Sequence, residues 1–166
     1  MHRLVLSFLF VLSIAAQAFA QNTVFVVRHA ERADAGASAS PMMASDPDLS
    51  DAGRARAESL ATTLKDAGIT AIFTTEYKRT QQTAAPLAKA LGLQVTTVSA
   101  RDMPGLIEKV KASNGNVLVV GHSNTVGDVV SRLGVTDAVK LGDNDYDNLF
   151  VVVRGEKPVL VRLHFK

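Results

Sequence analysis

The sequence of 166 residues contains no cysteine, which excludes disulfide bonds, a thiolate nucleophile and a thiolate metal site. It also has no large excess of either charge: 18 Lys and Arg face 16 Asp and Glu, for a net charge of +2. A near-neutral balance gives no reason to expect nucleic acid or an anionic membrane surface as a partner. Stability must therefore come from a packed hydrophobic core, and any chemistry must come from other side chains.

The first twenty residues have the pattern of a secretory signal. Arg3 precedes an apolar run over residues 4–16, and residues 18–20 (Ala-Phe-Ala) match the small-x-small site of a signal peptidase. The run is shorter than the roughly 20 residues that span a bilayer, so we expect cleavage after residue 20 and no stable membrane anchor afterwards. The predicted mature chain, residues 21–166, is long enough for one domain, and we expect it to be exported to a periplasm or secreted.

Strand-like and helix-like patterns alternate along this mature chain. Runs of β-branched and aromatic residues predict strands at 23–27, 71–75, 95–98 and 117–120, and a hairpin of 149–153 and 159–165 around Gly155. Apolar spacing predicts four helices: one from Ser50 with Gly68 as its stop, one over 84–91, one opened by Asp102 and Pro104, and one over 126–133. This order predicts a three-layer α/β/α fold with a mainly parallel sheet and an antiparallel element late in the chain.

Polar side chains follow the four predicted parallel strands, where ligands bind in such sheets. They are Arg28, His29 and Glu31; Glu76 and Arg79; Arg101 and Asp102; and His122, Ser123 and Asn124. Guanidinium groups match phosphoryl oxygens, and neutral imidazole is a nucleophile near pH 7. Helices that open after Arg79 and Asn124 would aim backbone N–H groups at the same anion, although Ser123 and Asn124 could instead cap a helix. Two arginines and two histidines at one sheet edge therefore predict a phosphate site.

Four motifs resemble, in order, those of the histidine phosphatase superfamily, also called phosphoglycerate mutase-like. They are VVRHAE (26–31), LSDAGRARA (49–57), TTEYKRTQQTAAPLA (74–88) and VVGHSNT (119–125). The resemblance implies a phosphatase in which His29 forms a phosphohistidine while Arg28, Arg79 and His122 hold the phosphoryl oxygens. It implies no metal and no organic cofactor. The mature chain's histidines are also too far apart in sequence for paired metal-ligand spacing.

The sequence leaves the general acid open. One family pattern has an aspartate directly after the second histidine, where this chain has Ser123. The other pattern places the acid after the third strand, where Asp102 is the nearest match, and an N-cap explains Asp102 equally well. Glu31 is the next candidate, with an ion pair to an arginine as its alternative, and Glu76 is the third.

Residues 32–48 form a long connection without periodicity, which predicts either a lid over the site or a disordered excursion. Arg32, Arg54, Lys78 and Arg101 either steer an anionic substrate or are ordinary surface charges.

Two rival functions stay open. VGHSNT approximates the Gly-x-Ser-x-Gly motif of serine esterases, and Ser123, Asp145 and His164 follow the α/β-hydrolase order. A non-catalytic module would bind phosphorylated ligands through the same cationic residues. The esterase would leave Arg28 and Arg79 without a role. The intact His29 argues against a pure binding module. The favoured substrate is a small-molecule or glycan phosphomonoester, and the sequence specifies neither its identity nor an oligomeric state.

Overall fold

The structure, a computed structural model, describes residues 22–34 and 46–166. The predicted signal segment and residues 35–45 of the predicted lid lie outside the described residues. In the described part no helix is long and apolar enough to cross a membrane.

Strands and helices alternate along the described chain. They are β1 (Thr23–Arg28), α1 (Asp51–Leu64), β2 (Ile69–Thr74), α2 (Lys78–Leu91), β3 (Val95–Thr97), α3 (Met103–Ala112), β4 (Asn116–Gly121), α4 (Ser123–Arg132), β5 (Asn148–Val153) and β6 (Val159–His164). The six strands form one sheet in the order β3-β2-β4-β1-β5-β6. Strands β1 to β4 run parallel, while β5 is antiparallel to both β1 and β6. The predicted fold class is confirmed, including the late antiparallel hairpin.

Two apolar layers cover the two faces of this sheet. Along each strand alternate residues point to opposite faces, so Val26 and Val27 of β1 belong to different layers. On one face the sheet packs against α3 and α4 through Ile107, Val110, Val126, Val129 and Val130. On the other face it packs against α1 and α2 through Leu60, Leu64, Ala84, Leu87 and Ala88. The parallel strands are therefore buried on both sides, which explains their continuous apolar runs.

Several element boundaries differ from the predicted ones. Helix α1 begins as predicted, because the Ser50 hydroxyl accepts a hydrogen bond from Gly53 N–H at 3.0 Å. It ends at Leu64, before the predicted stop at Gly68, which instead adopts a positive φ of 63° directly before β2. Helix α2 begins six residues before its predicted apolar stripe. It continues through Pro86, although a proline lacks the backbone N–H that would donate within the helix.

The order of the strands determines where the functional residues meet. Strands β1 and β4 are parallel neighbours, and Arg28 pairs with Gly121 at their carboxyl ends. The next residue of each chain segment is a histidine, so His29 and His122 leave the sheet side by side. Strand β2 lies on the other side of β4 and leads into α2, which carries Arg79.

Candidate active site

His29 and His122 form the centre of the site. The backbone N–H of His29 donates to the carbonyl of Gly121 at 2.9 Å, which fixes the start of the loop after β1 to the end of β4. The two imidazole centroids are 5.3 Å apart in an edge-to-face arrangement. Both side chains are buried, with 4% and 8% of their surfaces exposed. Two residues that are 93 positions apart in sequence therefore meet in one small pocket.

The hydrogen bond of His29 identifies its reactive nitrogen. Its Nδ1 lies 2.8 Å from the carbonyl oxygen of Ala30. A carbonyl only accepts, so Nδ1 carries the proton and Nε2 keeps its lone pair. Burial lowers the pKa of His29 to about 3, and the nearby cationic and imidazole groups act in the same direction. The ring is therefore neutral near pH 7, with Nε2 available as a nucleophile.

His122 is oriented from both sides of its ring. Nη2 of Arg79 lies 3.4 Å from Nδ1, and because a guanidinium only donates, Nδ1 is the acceptor. Nε2 then carries the proton and donates to the hydroxyl of Thr75 at 3.0 Å. Burial, together with the charge of Arg79, lowers the pKa of His122 to about 4. Without a bound anion, His122 is therefore also neutral at working pH.

Arg28 is held by uncharged groups. Its Nη1 donates to the carbonyls of Gly142 and Asp143, both at 2.9 Å, and its Nη2 donates to the Tyr146 hydroxyl at 3.3 Å. The guanidinium carbon also lies 4.1 Å from the centroid of the Tyr146 ring, a cation–π contact. Its buried Nε has no hydrogen-bond partner among the described residues. These contacts fix the guanidinium without cancelling its charge.

Arg79 is held in a similar way on the other side of the histidines. Its guanidinium carbon lies 4.3 Å from the centroid of the Tyr77 ring, which also contacts His122 edge-on at 5.3 Å. Its Nε is buried and without a partner in the described part of the chain. The protein has only two tyrosines, and each stacks against one of these arginines. Sequence reasoning missed Tyr77 and Tyr146, although their rarity and the position of Tyr77 two residues before Arg79 were visible.

Asp46 is the third residue of the site that the sequence did not indicate. Its carboxylate accepts from the backbone N–H of Lys78 at 3.0 and 3.1 Å and lies 3.5 Å from Nη1 of Arg79. From the sequence, the N–H groups at the start of α2 are expected to point at a substrate anion. The first of them, from Lys78, instead donates to a carboxylate of the protein. The only sequence signal was an Asp-Pro-Asp at the end of the long connection.

Glu31, the second acid candidate, lies in an ion pair with Arg56. Both carboxylate oxygens accept from Arg56 Nε, at 2.9 and 3.0 Å, and Arg56 also donates to the carbonyl of Phe165 at 3.2 Å. Burial raises the pKa of Glu31, but the hydrogen bonds from Arg56, a backbone hydrogen bond and the charges of Arg56 and Arg28 together outweigh it, and the net shift is downward. This matches the ion-pair alternative. The backbone of Glu31 is also close to α1, where a Cβ on Gly53 would lie 2.2 Å from its carbonyl oxygen.

Asp102 and Glu76, the other acid candidates, are both exposed and hydrogen-bonded to backbone. Asp102 caps α3, with its Oδ1 accepting from Gly105 N–H at 2.9 Å. Oε2 of Glu76 accepts from Ala100 N–H at 2.7 Å. The charge of Glu76 raises the pKa of His122. Asp102 is not among the groups that shift this pKa most. Glu76 is thus electrostatically coupled to the site, and Asp102 serves as an N-cap.

Ser123 and Asn124 are the first two residues of α4 but do not cap it. His122 is the N-cap residue, and its backbone N–H donates to the hydroxyl of Thr125 at 2.9 Å. The two partners considered for an esterase with Ser123 form other contacts. Asp145 accepts a hydrogen bond from Gly142 N–H at 2.8 Å. His164 on β6 pairs with Asp147 at 2.9 Å.

The long connection closes at its base. Arg32 and Leu49 form an isolated antiparallel bridge, and Ala33 N–H donates to the carbonyl of Asp48 at 2.9 Å. Arg32 also pairs with Asp34, and Lys78 lies 4.0 Å from Asp48. Arg54 pairs with Asp51, so three of the four cations considered for substrate steering have carboxylate partners. A lid formed by residues 32–48 stays a prediction.

Among the described residues, no group of three or more His, Cys, Asp or Glu side chains is arranged to hold a metal ion.

The sequence model of the histidine phosphatase superfamily (branch 1) matches residues 24–108, about half of the chain. No curated protein sequence matches significantly. Solved structures share the fold: mycobacterial glucosyl-3-phosphoglycerate phosphatase Rv2419c with VO3 is 14% identical, with a TM-score of 0.68 over 87% of this chain and 100% of that chain. The protein histidine phosphatase SixA with tungstate is 19% identical, with a TM-score of 0.63 over 86% and 96%. The family match, together with this fold, shows that the chain belongs to the histidine phosphatase superfamily.

Proposed function

We propose that this protein is a phosphatase that hydrolyses phosphomonoesters through a phosphohistidine on His29. The observation that carries the proposal is the hydrogen bond from His29 Nδ1 to the Ala30 carbonyl at 2.8 Å. It leaves Nε2 unprotonated, in a pocket that Arg28 and Arg79 make positive. A nucleophile next to fixed cations is the arrangement that phosphoryl transfer requires.

In the first step Nε2 attacks the phosphorus atom in line, a nitrogen–phosphorus bond forms, and the bond to the leaving oxygen breaks. In the second step water attacks the phosphohistidine, which releases phosphate and restores the neutral ring. Nη2 of Arg79 lies beside Nδ1 of His122, and among the described residues Nη2 of Arg28 contacts only the Tyr146 hydroxyl, so these terminal N–H groups can bind equatorial phosphoryl oxygens. His122 completes this set of donors when it is protonated.

Glu76 is the carboxyl group that we favour as general acid, ahead of Glu31 and Asp102. It is exposed, it follows β2 at the same sheet edge, and its charge acts on His122. Glu31 would have to leave Arg56. Asp102 and Glu76 each accept one backbone hydrogen bond, so the effect of the Glu76 charge on His122 is what favours Glu76. Residues 1–21 and 35–45 contain no Asp or Glu, so the described residues include every carboxyl side chain.

A substrate whose leaving group departs without protonation would make an acid unnecessary. The names of the similar structures include two substrate classes: Rv2419c is named as a glucosyl-3-phosphoglycerate phosphatase and SixA as a protein histidine phosphatase. A suitable panel therefore combines sugar phosphates, an aryl phosphate and a phosphohistidine protein. We also propose that turnover needs no metal, so that exhaustive dialysis against a chelator leaves the rate unchanged.

The test of the nucleophile is a rapid-quench experiment. Mixing with an aryl phosphate should trap a phosphoenzyme that is labile in acid and stable in base. His29→Ala should form none, while His164→Ala, at an exposed histidine of β6, should form as much as the wild type. Normal turnover by His29→Ala would refute the mechanism.

We further propose that residues 1–20 are removed during export. The protein isolated from its native envelope should then begin at Gln21, as measured by intact mass. A mass that includes residues 4–16 would instead indicate an anchored protein.

A further inference from the structure

The two edges of the sheet differ in how they are protected. Strand β3, at one edge, has only three residues and exposes Thr96 and Thr97. Strand β6, at the other edge, has six residues and contains no proline. Natural proteins usually keep edge strands short or charged, because a long apolar edge pairs with other chains. Strand β3 follows this rule, whereas β6 departs from it.

The exposed apolar residues of β6 form one stripe. Within the described residues the exposed large hydrophobic side chains are Val159, Val161 and Leu163, which are 56%, 43% and 47% exposed. Their alternate spacing puts all three on the same face of β6. Their partners on β5 include Leu149 and Val151, which belong to the core layer under α1 and α2. The stripe is therefore the outer end of that core layer, beyond the cover of the helices.

We propose that two copies of this protein associate by antiparallel pairing of their β6 strands about a two-fold axis at Val161. This pairing satisfies the free backbone groups of both edges and joins the two sheets into one of twelve strands. An axis perpendicular to the sheet keeps both apolar stripes on the same face, so they meet as Val161 opposite Val161 and Val159 opposite Leu163. A second copy is the occupant because the stripe is symmetric about Val161 and so complements itself.

The faces of the apolar stripes and the charge of Arg162 favour this register over two shifted ones. A shift by one residue would place the two apolar stripes on opposite faces. A shift by two residues toward the C-terminus would put Arg162 directly opposite Arg162 of the other copy, which is unfavourable. In the register centred on Val161, Arg162 faces Leu160 instead. The same register brings the hairpin turn with Glu156 to the end of the partner strand that leads to Lys166, a pair of opposite charge.

The first experiment measures association by analytical ultracentrifugation over a range of protein concentrations. We expect a monomer–dimer equilibrium that Val161→Lys weakens at least tenfold, because the substitution places a charge on each side of the axis. Thr96→Lys adds the same charge to the opposite edge strand and should leave the equilibrium unchanged. A protein that is monomeric throughout, or one that both substitutions affect equally, would overturn the proposal.

The second experiment tests the register, and the absence of cysteine makes it selective. Directly opposed residues of antiparallel strands have Cα atoms about 4.5–5.5 Å apart, within the range that a disulfide spans. Val161→Cys should therefore form a reducible covalent dimer on mild oxidation. Thr96→Cys and Val159→Cys should not exceed the rate of random collision, but Val159→Cys combined with Leu163→Cys should cross-link. Equal cross-linking of Thr96→Cys and Val161→Cys would contradict the interface, whatever the outcome for phosphatase activity.

Discussion

Acid should destabilise this protein mainly through its two buried site histidines. The pKa values of His29 and His122 are lowered to about 3 and about 4, first of all by burial, from 6.5 in an unfolded chain. Between pH 6.5 and about 4 the unfolded chain therefore binds two protons that the folded protein does not. Stability is fully present above pH 6.5 and falls as the pH decreases through this window.

The magnitude follows from the width of that window. Each pH unit below 6.5 lowers the free energy of unfolding by about 1.4 kcal/mol for each histidine that stays neutral in the folded state. Acidification from about pH 7.5 to about pH 5 should then cost about 2 kcal/mol per histidine and about 4 kcal/mol for both. The free energy of unfolding of a domain is about 5–15 kcal/mol in total, so the loss is a large share of it.

The assay is urea unfolding at both pH values in phosphate-free buffer, for the wild type, His29→Gln, His122→Gln and the control His164→Gln. Each of the first two variants should lose about 2 kcal/mol less than the wild type on acidification, because glutamine does not titrate. Carboxyl groups that titrate in this range contribute equally to the wild type and to His29→Gln and cancel in that comparison. The control His164→Gln shows the effect of losing an exposed histidine together with its hydrogen bond to Asp147.

An equal acid-induced loss in the wild type and in His29→Gln would refute the reasoning. It would mean that His29 takes up its proton in the folded protein near its ordinary pKa. The neutral Nε2 of the proposed nucleophile would then be lost in mild acid, and the hydrogen bond to Ala30 would not define the reactive tautomer.

Four further predictions concern the neighbours of the histidines. Arg56→Gln should destabilise the protein by about 2 kcal/mol by leaving Glu31 half-buried without its ion partner, and Glu31→Gln in the same chain should recover part of this loss in urea melts. Tyr77→Leu should weaken inhibition by inorganic phosphate about tenfold while Tyr77→Phe stays near the wild type, and an equal effect of both would exclude the ring as the cause. Asp102→Asn should leave the ratio of alkyl to aryl phosphate turnover unchanged, whereas Glu76→Gln should lower it about 10²-fold; the opposite result would return the acid role to Asp102. Binding of sulfate, which is already a dianion near pH 6, should take up protons at that pH, measurable by calorimetry in buffers of different ionisation enthalpy, and zero uptake would mean that the anion leaves both imidazoles neutral.

The core of the site could be predicted because it depends on local patterns and one topological rule. Each histidine directly follows an apolar run, and parallel strands bring their carboxyl ends to one edge. The positions of His29 and His122 thus follow from the strands alone, without any knowledge of loops. Arg79 follows from the next strand of the sheet in the same way.

The remaining groups could not be predicted because they come from loops and distant segments. Arg56 reaches Glu31 across 25 positions, and Tyr146 reaches Arg28 across 118. No periodicity encodes such contacts, since they depend on where an irregular loop returns to the sheet. Asp46 is a similar case, because its role depends on the path of the connection before α1. Asp102 shows the converse, since one local pattern, an aspartate before a helix, was compatible with two roles.

The contacts of the two arginines explain why this site suits a doubly charged anion. Carbonyl oxygens and an aromatic ring hold Arg28 and leave its charge available, whereas Arg79 is held by a second ring and by the carboxylate of Asp46. Burial first of all, and these charges in addition, keep both imidazoles neutral while no anion is bound. In the proposed mechanism an arriving phosphoryl dianion offsets the arginines and displaces the carboxylate of Asp46 from Arg79 and from the Lys78 N–H. His122 can then be protonated as a further donor, while His29 keeps the unprotonated nitrogen that attacks.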